Sequence, residues 1–175
     1  SSFFSASFSS DAIALFEALF GAYRNLTAPF GVFGLPPLVQ PAVNIALETA
    51  PMIRSLDPTL FRARFVLAPG IEWIQRAHAA FRAGRFAENP VLEFMIPSVH
   101  DPMLTPLGQH VVSANVCYAP FEPAGGWSAG RDAFAKSVID TLAWFAPEIR
   151  ETSLGGEVLT PPDIAARFGN GHWFG

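Results

Sequence analysis

Residues 110–118 read HVVSANVCY, and the alternation of side chains along this segment decides the fold class. Because successive side chains of a β-strand point to opposite faces, the pattern predicts a strand with one core face and one wetter face. The core set is His110, Val112, Ala114, Val116 and Tyr118, and the wetter set is Val111, Ser113, Asn115 and Cys117.

Further strand and helix patterns flank this segment on both sides. Strands are predicted at residues 42–47, 63–68 and 91–96, and helices at residues 10–24, 71–84 and 128–146. A long turn with several prolines joins residues 91–96 to 110–118, so we expect these two strands to be adjacent and antiparallel. The order of elements predicts an α+β fold, in which a mixed, largely antiparallel sheet carries helices packed on one face.

Local signals indicate the faces and ends of the helices. Apolar stripes are predicted at Ile71, Ile74, His78 and Phe81 in one helix, and at Phe134, Val138, Leu142 and Phe145 in the next. Ser128 is the predicted N-cap of the second of these helices. A last short helix follows Thr160-Pro161-Pro162-Asp163, where a capping threonine, a proline at the first helical position and an early acid agree.

Composition excludes some classes of function. Only 15% of the 175 residues are charged, and the net charge is −4. Lys136 is the only lysine, so no basic patch for a phosphate backbone exists and nucleic acid is excluded as a partner. A lone cysteine, Cys117, fits a reducing compartment, and we predict a cytoplasmic location. Because it lies in mid-strand, we interpret Cys117 as structural rather than as a nucleophile.

The beginning of the chain differs from the rest. Residues 1–39 predict an N-terminal helix and a Pro/Gly-rich apolar segment, and residues 40–175 form the α+β region. The stretch from Asn25 to Leu47 lacks charge, but its four prolines oppose a membrane-spanning helix. Two alternatives stay open for its apolar part: a buried connection, or a flap that touches a hydrophobic ligand or the surface of a membrane. The N-terminus does not resemble a signal peptide, and we expect the chain to be a piece of something longer.

No familiar catalytic motif is present. The sequence has no GxGxxG after a strand, no Walker A loop, no HExxH and no GxSxG, and its histidines lack metal-ligand spacing. His78 is interpreted as a half-buried structural side chain and His110 as a residue that braces a loop. The His100-Asp101 turn is assigned to turn chemistry or to a ligand-facing role. The glycine-bracketed loop with His172, Trp173 and Phe174 is typical of a pocket lining.

Residues 89–127 read NPVLEFMIPSVHDPMLTPLGQHVVSANVCYAPFEPAGGW, and they resemble a known family. The family is that of the phytoene-desaturase-like FAD-dependent oxidoreductases, in the subgroup of pyridine nucleotide-disulfide oxidoreductase domain-containing proteins. The matching positions are Pro97-Ser98, His100-Asp101-Pro102, Pro106, Gly108, His110, Tyr118-Ala119-Pro120 and Trp127. The resemblance extends upstream to AVNIALETAP at 42–51 and VLAPGIEWIQRA at 66–77, and downstream through Arg131, Thr160-Pro161 and the Gly171-His172 loop.

The resemblance implies a function. It covers roughly residues 40–175 and corresponds to the substrate-binding domain, whereas the FAD dinucleotide fold and the family's closing glycine-rich segment are absent from this sequence. It therefore implies FAD in the complete enzyme, none bound to this chain alone, and a hydrophobic, polyene-like substrate. Catalytic residues stay unknown, and His172, Trp173, Phe174, His100 and Asp101 are the candidates that face substrate or flavin.

The alternatives belong to other classes of protein. One is a stand-alone module that binds an apolar ligand. The other is a protein-interaction domain that docks through residues 29–41. The expected partners under the leading hypothesis are a hydrophobic small molecule and the missing FAD-binding domain, with peripheral membrane contact as a further expectation.

Overall fold

A computed structural model describes residues 40–54 and 56–168. The predicted helix at 10–24, the apolar segment before Gln40 and the loop with His172, Trp173 and Phe174 lie outside the described residues.

Five strands form one sheet. They are β1 (Ala42–Leu47), β2 (Phe65–Leu67), β3 (Val91–Met95), β4 (His110–Cys117) and β5 (Ser153–Leu159). Their spatial order is β2-β3-β4-β1-β5, and every neighbouring pair is antiparallel. The α+β class and the antiparallel pairing of 91–96 with 110–118 are thereby confirmed. The sheet is antiparallel throughout rather than mixed.

Helices fill the connections between the strands. They are α1 (Ile71–Arg82), α2 (Pro97–His100), α3 (Trp127–Ala143), α4 (Ile149–Thr152) and α5 (Pro161–Phe168). Two 3₁₀ turns, Pro58–Arg62 and Pro102–Leu104, complete the connections. No helix within residues 40–54 and 56–168 has the length and apolar character needed to cross a membrane.

One face of the sheet, which we call the core face, packs against α3. It comprises Val43, Ile45, Leu47, Phe65, Leu67, Leu92, Phe94, Val112, Ala114, Val116 and Val158. From the helix, Phe134, Val138 and Leu142 enter this cluster, as their helical spacing predicts. Phe134 is fully buried, and its ring meets those of Trp127 and Phe86 edge-on, with centroids 5.1 and 5.4 Å apart. Burial of these aromatic side chains makes a large contribution to the stability of the fold.

The opposite face, which we call the polar face, carries the alternate residues of the same strands. Its polar members are Glu93, Ser113, Asn115, Asn44 and Glu157. Helix α1 covers only one corner of this face, where Trp73 and Ala77 pack with Val91 and Cys117. The wetter side predicted for residues 110–118 is therefore the polar face, although Val111 on it is also buried.

Three local predictions are wrong. In α1 the buried residues are Trp73 and Ala77, so the face is rotated from the predicted stripe and the ring of His78 is exposed rather than half-buried. The His78 ring contacts the ring of Tyr118 edge-on, and the two ring centroids lie 5.6 Å apart. Helix α3 begins at Trp127 with Gly126 as N-cap, because the positive φ of 76° at Gly126 turns the chain into the helix before Ser128.

The third error is β5, for which no strand was predicted. Gly155 and Gly156 occupy its middle, and glycine has low strand propensity because it has no side chain to pack. Both glycines are buried against β1. Pairing with a central strand thus outweighs the local preference.

The start of α5 is as predicted. The Thr160 backbone N–H and hydroxyl both donate to Asp163 Oδ2, at 2.9 and 2.7 Å, and Arg131 Nη2 donates to the same oxygen at 2.7 Å. Burial raises the pKa of Asp163, but these hydrogen bonds and the positive charge outweigh it and hold the pKa below its usual value. Arg131 also donates to the Val158 carbonyl oxygen at 2.7 Å, so α3, β5 and α5 are fixed to one another.

Candidate functional site

A row of four side chains crosses the polar face. Met95 of β3 lies opposite Ser113 of β4, Ser113 lies opposite Asn44 of β1, and Asn44 lies opposite Glu157 of β5. Because directly paired residues project to the same face, their side chains are neighbours. Met95, Ser113 and Glu157 are partly exposed, so solvent reaches the row on both sides of Asn44.

Asn44 is the unusual member of this row. Its side chain is 1% exposed, and within the described part of the chain neither its amide nitrogen nor its amide oxygen has a hydrogen-bond partner. Buried polar groups are nearly always paired, and an unpaired one costs about 1–3 kcal/mol. An amide held this way in the middle of β1, a strand that is paired on both sides, is therefore unlike an ordinary core residue.

Ion pairs compensate the carboxylates at both edges of the polar face. Arg64 Nη1 lies 2.6 Å from Glu93 Oε1 at the β2–β3 edge, and Arg167 Nη2 lies 3.2 Å from Glu157 Oε1 at the β5 edge. Both pairs are partly exposed, so each contributes little to stability. Their effect on the site is electrostatic, because they leave a neutral polar centre at Asn44 and Ser113.

The last described turn of the chain lies beside this face. The bond from Arg167 to Glu157 holds the end of α5 against the row that contains Asn44. His172 follows Arg167 by five residues, and an extended chain of that length reaches at most about 18 Å. The candidate residues His172, Trp173 and Phe174 are themselves outside the described residues, and their roles stay predictions.

The turn that contains His100 and Asp101 begins at the end of the sheet where Leu47 and His110 lie, opposite the end from which α5 starts. It leaves β3 two residues after Met95 and returns at His110, which pairs with Leu47 of β1. Asp101 is exposed, and its Oδ1 accepts a hydrogen bond of 3.0 Å from the Met103 N–H. The turn chemistry assigned to this residue is thereby confirmed. His100 is also exposed, and whether it faces a ligand stays a prediction.

A buried serine and a histidine hold this turn to β4. Ser98 Oγ accepts a hydrogen bond from the Val111 N–H at 3.1 Å and lies 3.0 Å from His110 Nδ1. The hydroxyl and Nδ1 share a hydrogen bond whose direction is set by the tautomer of the imidazole. The loop-bracing role predicted for His110 is confirmed. Ser98 is not presented as a nucleophile, because its side chain is buried in this bond.

Burial lowers the pKa of His110, and this gives a prediction for the pH dependence of stability. The unfolded chain takes up a proton near pH 6.5, whereas the folded chain does so at lower pH, so folded stability falls as the pH drops through this window. We expect the urea midpoint of the wild type to fall between about pH 7.5 and 5.5 by more than that of His110→Asn. An asparagine at this position retains an acceptor but does not titrate. Equal falls in the two proteins would contradict this role for the histidine.

Cys117 is held as a thiol. Burial, and then the negative charge of Glu93, raise its pKa to about 11, although a weak bond from Gln40 Nε2 to Sγ at 3.9 Å opposes the shift. Since the thiolate is the nucleophilic form, this supports the structural interpretation of Cys117.

The described residues do not form a site for the phosphates of a dinucleotide. Such sites follow a parallel strand and lie at a helix N-terminus, whereas every strand pair here is antiparallel. Of the five described glycines with positive φ, those at 84, 108, 125 and 126 lie in turns between other elements, and Gly155 lies within β5. Within residues 40–54 and 56–168 there is also no cluster of three metal-ligating side chains.

The described residues form an antiparallel α+β unit: one face of the sheet builds the core, and the other carries a neutral polar centre. Comparison with known proteins shows which proteins the chain is similar to. The chain is 38% identical over 98 residues to pyridine nucleotide-disulfide oxidoreductase domain-containing protein 2 of Rattus norvegicus, a match that covers 53% of this chain and 17% of that protein. The Mus musculus protein of the same name is 37% identical over 97 residues, with 52% and 17% covered. No family model matches the chain.

The similarity supports the resemblance to pyridine nucleotide-disulfide oxidoreductase domain-containing proteins, and both relatives are named for an oxidoreductase domain. The matched region spans about a sixth of the length of these relatives. Sequence reasoning missed Asn44, although a signal was available. In AVNIAL it is the one polar residue of an otherwise apolar strand.

Proposed function

We propose that this chain is the substrate-binding portion of an FAD-dependent oxidoreductase, related to phytoene dehydrogenases, that acts on a hydrophobic substrate. The observation that carries the proposal is the 38% identity to a relative of which the matched region is only 17%. Such a portion supplies the wall of a site whose redox chemistry belongs to a cofactor.

The geometry supports this division of labour. Outside its compensated ion pairs the polar face is neutral, and the described residues offer no cradle for a pyrophosphate. FAD, which supplies the hydride acceptor when bound, is held by other regions of the complete enzyme. We expect this chain alone to retain none.

The proposed site comprises the polar face and the turn that leaves β3. His100 and Asp101 lie on that turn, and His172, Trp173 and Phe174 follow α5 in the sequence. In this proposal these residues orient the substrate or contact the flavin ring. The complete enzyme works in the cytoplasm, with peripheral contact to a membrane that supplies its apolar substrate.

A stand-alone module for an apolar ligand or a protein partner is the second candidate. Large apolar side chains at the surface favour it: Ile71 is 61% exposed and Trp144 is 57% exposed. Exposed apolar patches of this kind also mark the interface with another domain of the same protein. The two candidates therefore differ in whether further domains of the same polypeptide flank the chain.

The coding sequence on both sides of the chain distinguishes them. The oxidoreductase proposal predicts a GxGxxG strand–turn–helix upstream and a glycine-rich segment downstream, in the same frame. Sequencing a full-length transcript tests this directly. A start codon and a stop codon that border the chain would favour the stand-alone module.

A further inference from the structure

The buried amide of Asn44 carries information about the ligand. Its nitrogen and oxygen are unpartnered within the described residues, while Ser113 and Glu157 on either side are partly exposed. Asn44 is itself only 1% exposed, but it lies directly between the partly exposed Ser113 and Glu157, so the amide is one side chain away from solvent. Its position thus suits a group that is paired only when a ligand is bound.

We propose that Asn44, with the Ser113 hydroxyl beside it, is the polar anchor of the substrate site. The inference rests on the proposed function and narrows the substrate class. The substrate is not a pure hydrocarbon: it carries an uncharged group with an adjacent hydrogen-bond donor and acceptor, of the carboxamide kind, on an apolar body.

The argument from charge excludes the other headgroups. Glu93 and Glu157 are already paired with Arg64 and Arg167, so the described polar face presents no uncompensated charge that would recognise a carboxylate or an ammonium. An asparagine side chain donates from its nitrogen and accepts at its oxygen, and a ligand carboxamide presents the complementary pair. Met95 on the same face is partly exposed and provides apolar surface for the body of the ligand.

A hydrocarbon in this site would leave both atoms of the Asn44 amide unpaired and without water. Sites built to bond a polar group discriminate against analogues that lack it, because their own buried groups stay unpaired. We therefore expect the wild-type chain to bind an amide with a Kd lower than that of the corresponding alkene by about tenfold or more. A tenfold difference in Kd corresponds to about 1.4 kcal/mol of binding free energy.

The experiment compares three probes of equal length: oleamide, oleic acid and 1-octadecene. Binding to the 175-residue chain is followed through tryptophan fluorescence, for the wild type, Asn44→Leu and the matched control Asn89→Leu. Asn89 is exposed in the turn before β3. We expect the wild type and Asn89→Leu to prefer oleamide, and Asn44→Leu to bind oleamide and octadecene equally.

Each other outcome has a defined meaning. Octadecene or oleic acid binding as tightly as oleamide to the wild type overturns the anchor and leaves the proposed hydrophobic substrate standing. Failure of all three probes to bind counts against both proposals.

Urea unfolding without ligand gives an independent test. Leucine matches asparagine in branching and heavy-atom count but is larger and has no polar atoms, so relieving two unpaired groups should offset the cost of the added volume and leave the midpoint of Asn44→Leu unchanged or raised. A clear fall in the midpoint would show that the amide has a partner within the chain itself, and would overturn the anchor.

Discussion

Replacing Phe134 by alanine is expected to lower the free energy of unfolding by about 3–5 kcal/mol, a large part of the stability of a domain of this size. Phe134 is fully buried at the centre of the core face, and its ring lies edge-on to both Trp127 and Phe86. Truncation would open a cavity between α3 and the sheet that rigid strands cannot close. Equilibrium urea unfolding of the 175-residue chain measures the loss.

Phe121→Ala is the matched control. This side chain is 52% exposed, and the carbonyl oxygen that accepts from Trp127 Nε1 belongs to its backbone and survives the substitution. We expect a loss of less than about 1 kcal/mol. Similar losses for the two variants would show that α3 does not pack as described.

The second large effect concerns turnover. In the complete enzyme, His172→Ala is expected to lower kcat by about tenfold or more, equivalent to at least 1.4 kcal/mol of transition-state stabilisation. It should also perturb the visible spectrum of the bound flavin and leave the melting temperature nearly unchanged, because the proposed role is to face substrate or flavin. The expectation rests on the position of α5, whose last turn is held against the polar face by Arg167 and Glu157.

His78→Ala is the control for that variant. The exposed ring of His78 contacts Tyr118 at the corner of the sheet that α1 covers, five residues along the chain from Ser113 of the row, so we expect normal turnover and only a small loss of stability. Unchanged turnover and an unchanged flavin spectrum in His172→Ala, or a collapse of its stability, would return His172 to a structural role.

The strand at 110–117 was predictable because its two faces have different surroundings, which requires apolar and polar side chains to alternate. Val112, Ala114 and Val116 meet α3, and Ser113 and Asn115 lie on the other face, so the sequence must alternate. The α5 start was predictable for a different reason. The proline, the threonine and Asp163 act through local bonds that need no distant partner.

The errors share the opposite cause. The buried face of α1 depends on how the helix sits at the corner of the sheet, so that Trp73, and not Ile71, faces inward. The strand β5 depends on β1, against which Gly155 and Gly156 pack. Neither tertiary contact is encoded in a local pattern.

The turn of the candidate site was predictable from the sequence, whereas the residue at its centre, Asn44, was not. Asp101 and His110 lie in a motif with strong turn chemistry, and both make the kind of bond that the motif indicates. Asn44 becomes notable only when its burial and its missing partners are known. Those are properties of the folded sheet rather than of the strand sequence.

The flavin content of the complete native polypeptide tests the central claim most directly. The polypeptide that contains this chain would be purified, its visible spectrum recorded, and the released cofactor identified by mass spectrometry, beside the 175-residue chain that has been mixed with excess FAD and desalted. The account predicts one FAD for each complete polypeptide and none retained by the isolated chain. A complete polypeptide without flavin, or tight stoichiometric binding of FAD by the chain alone, would contradict it.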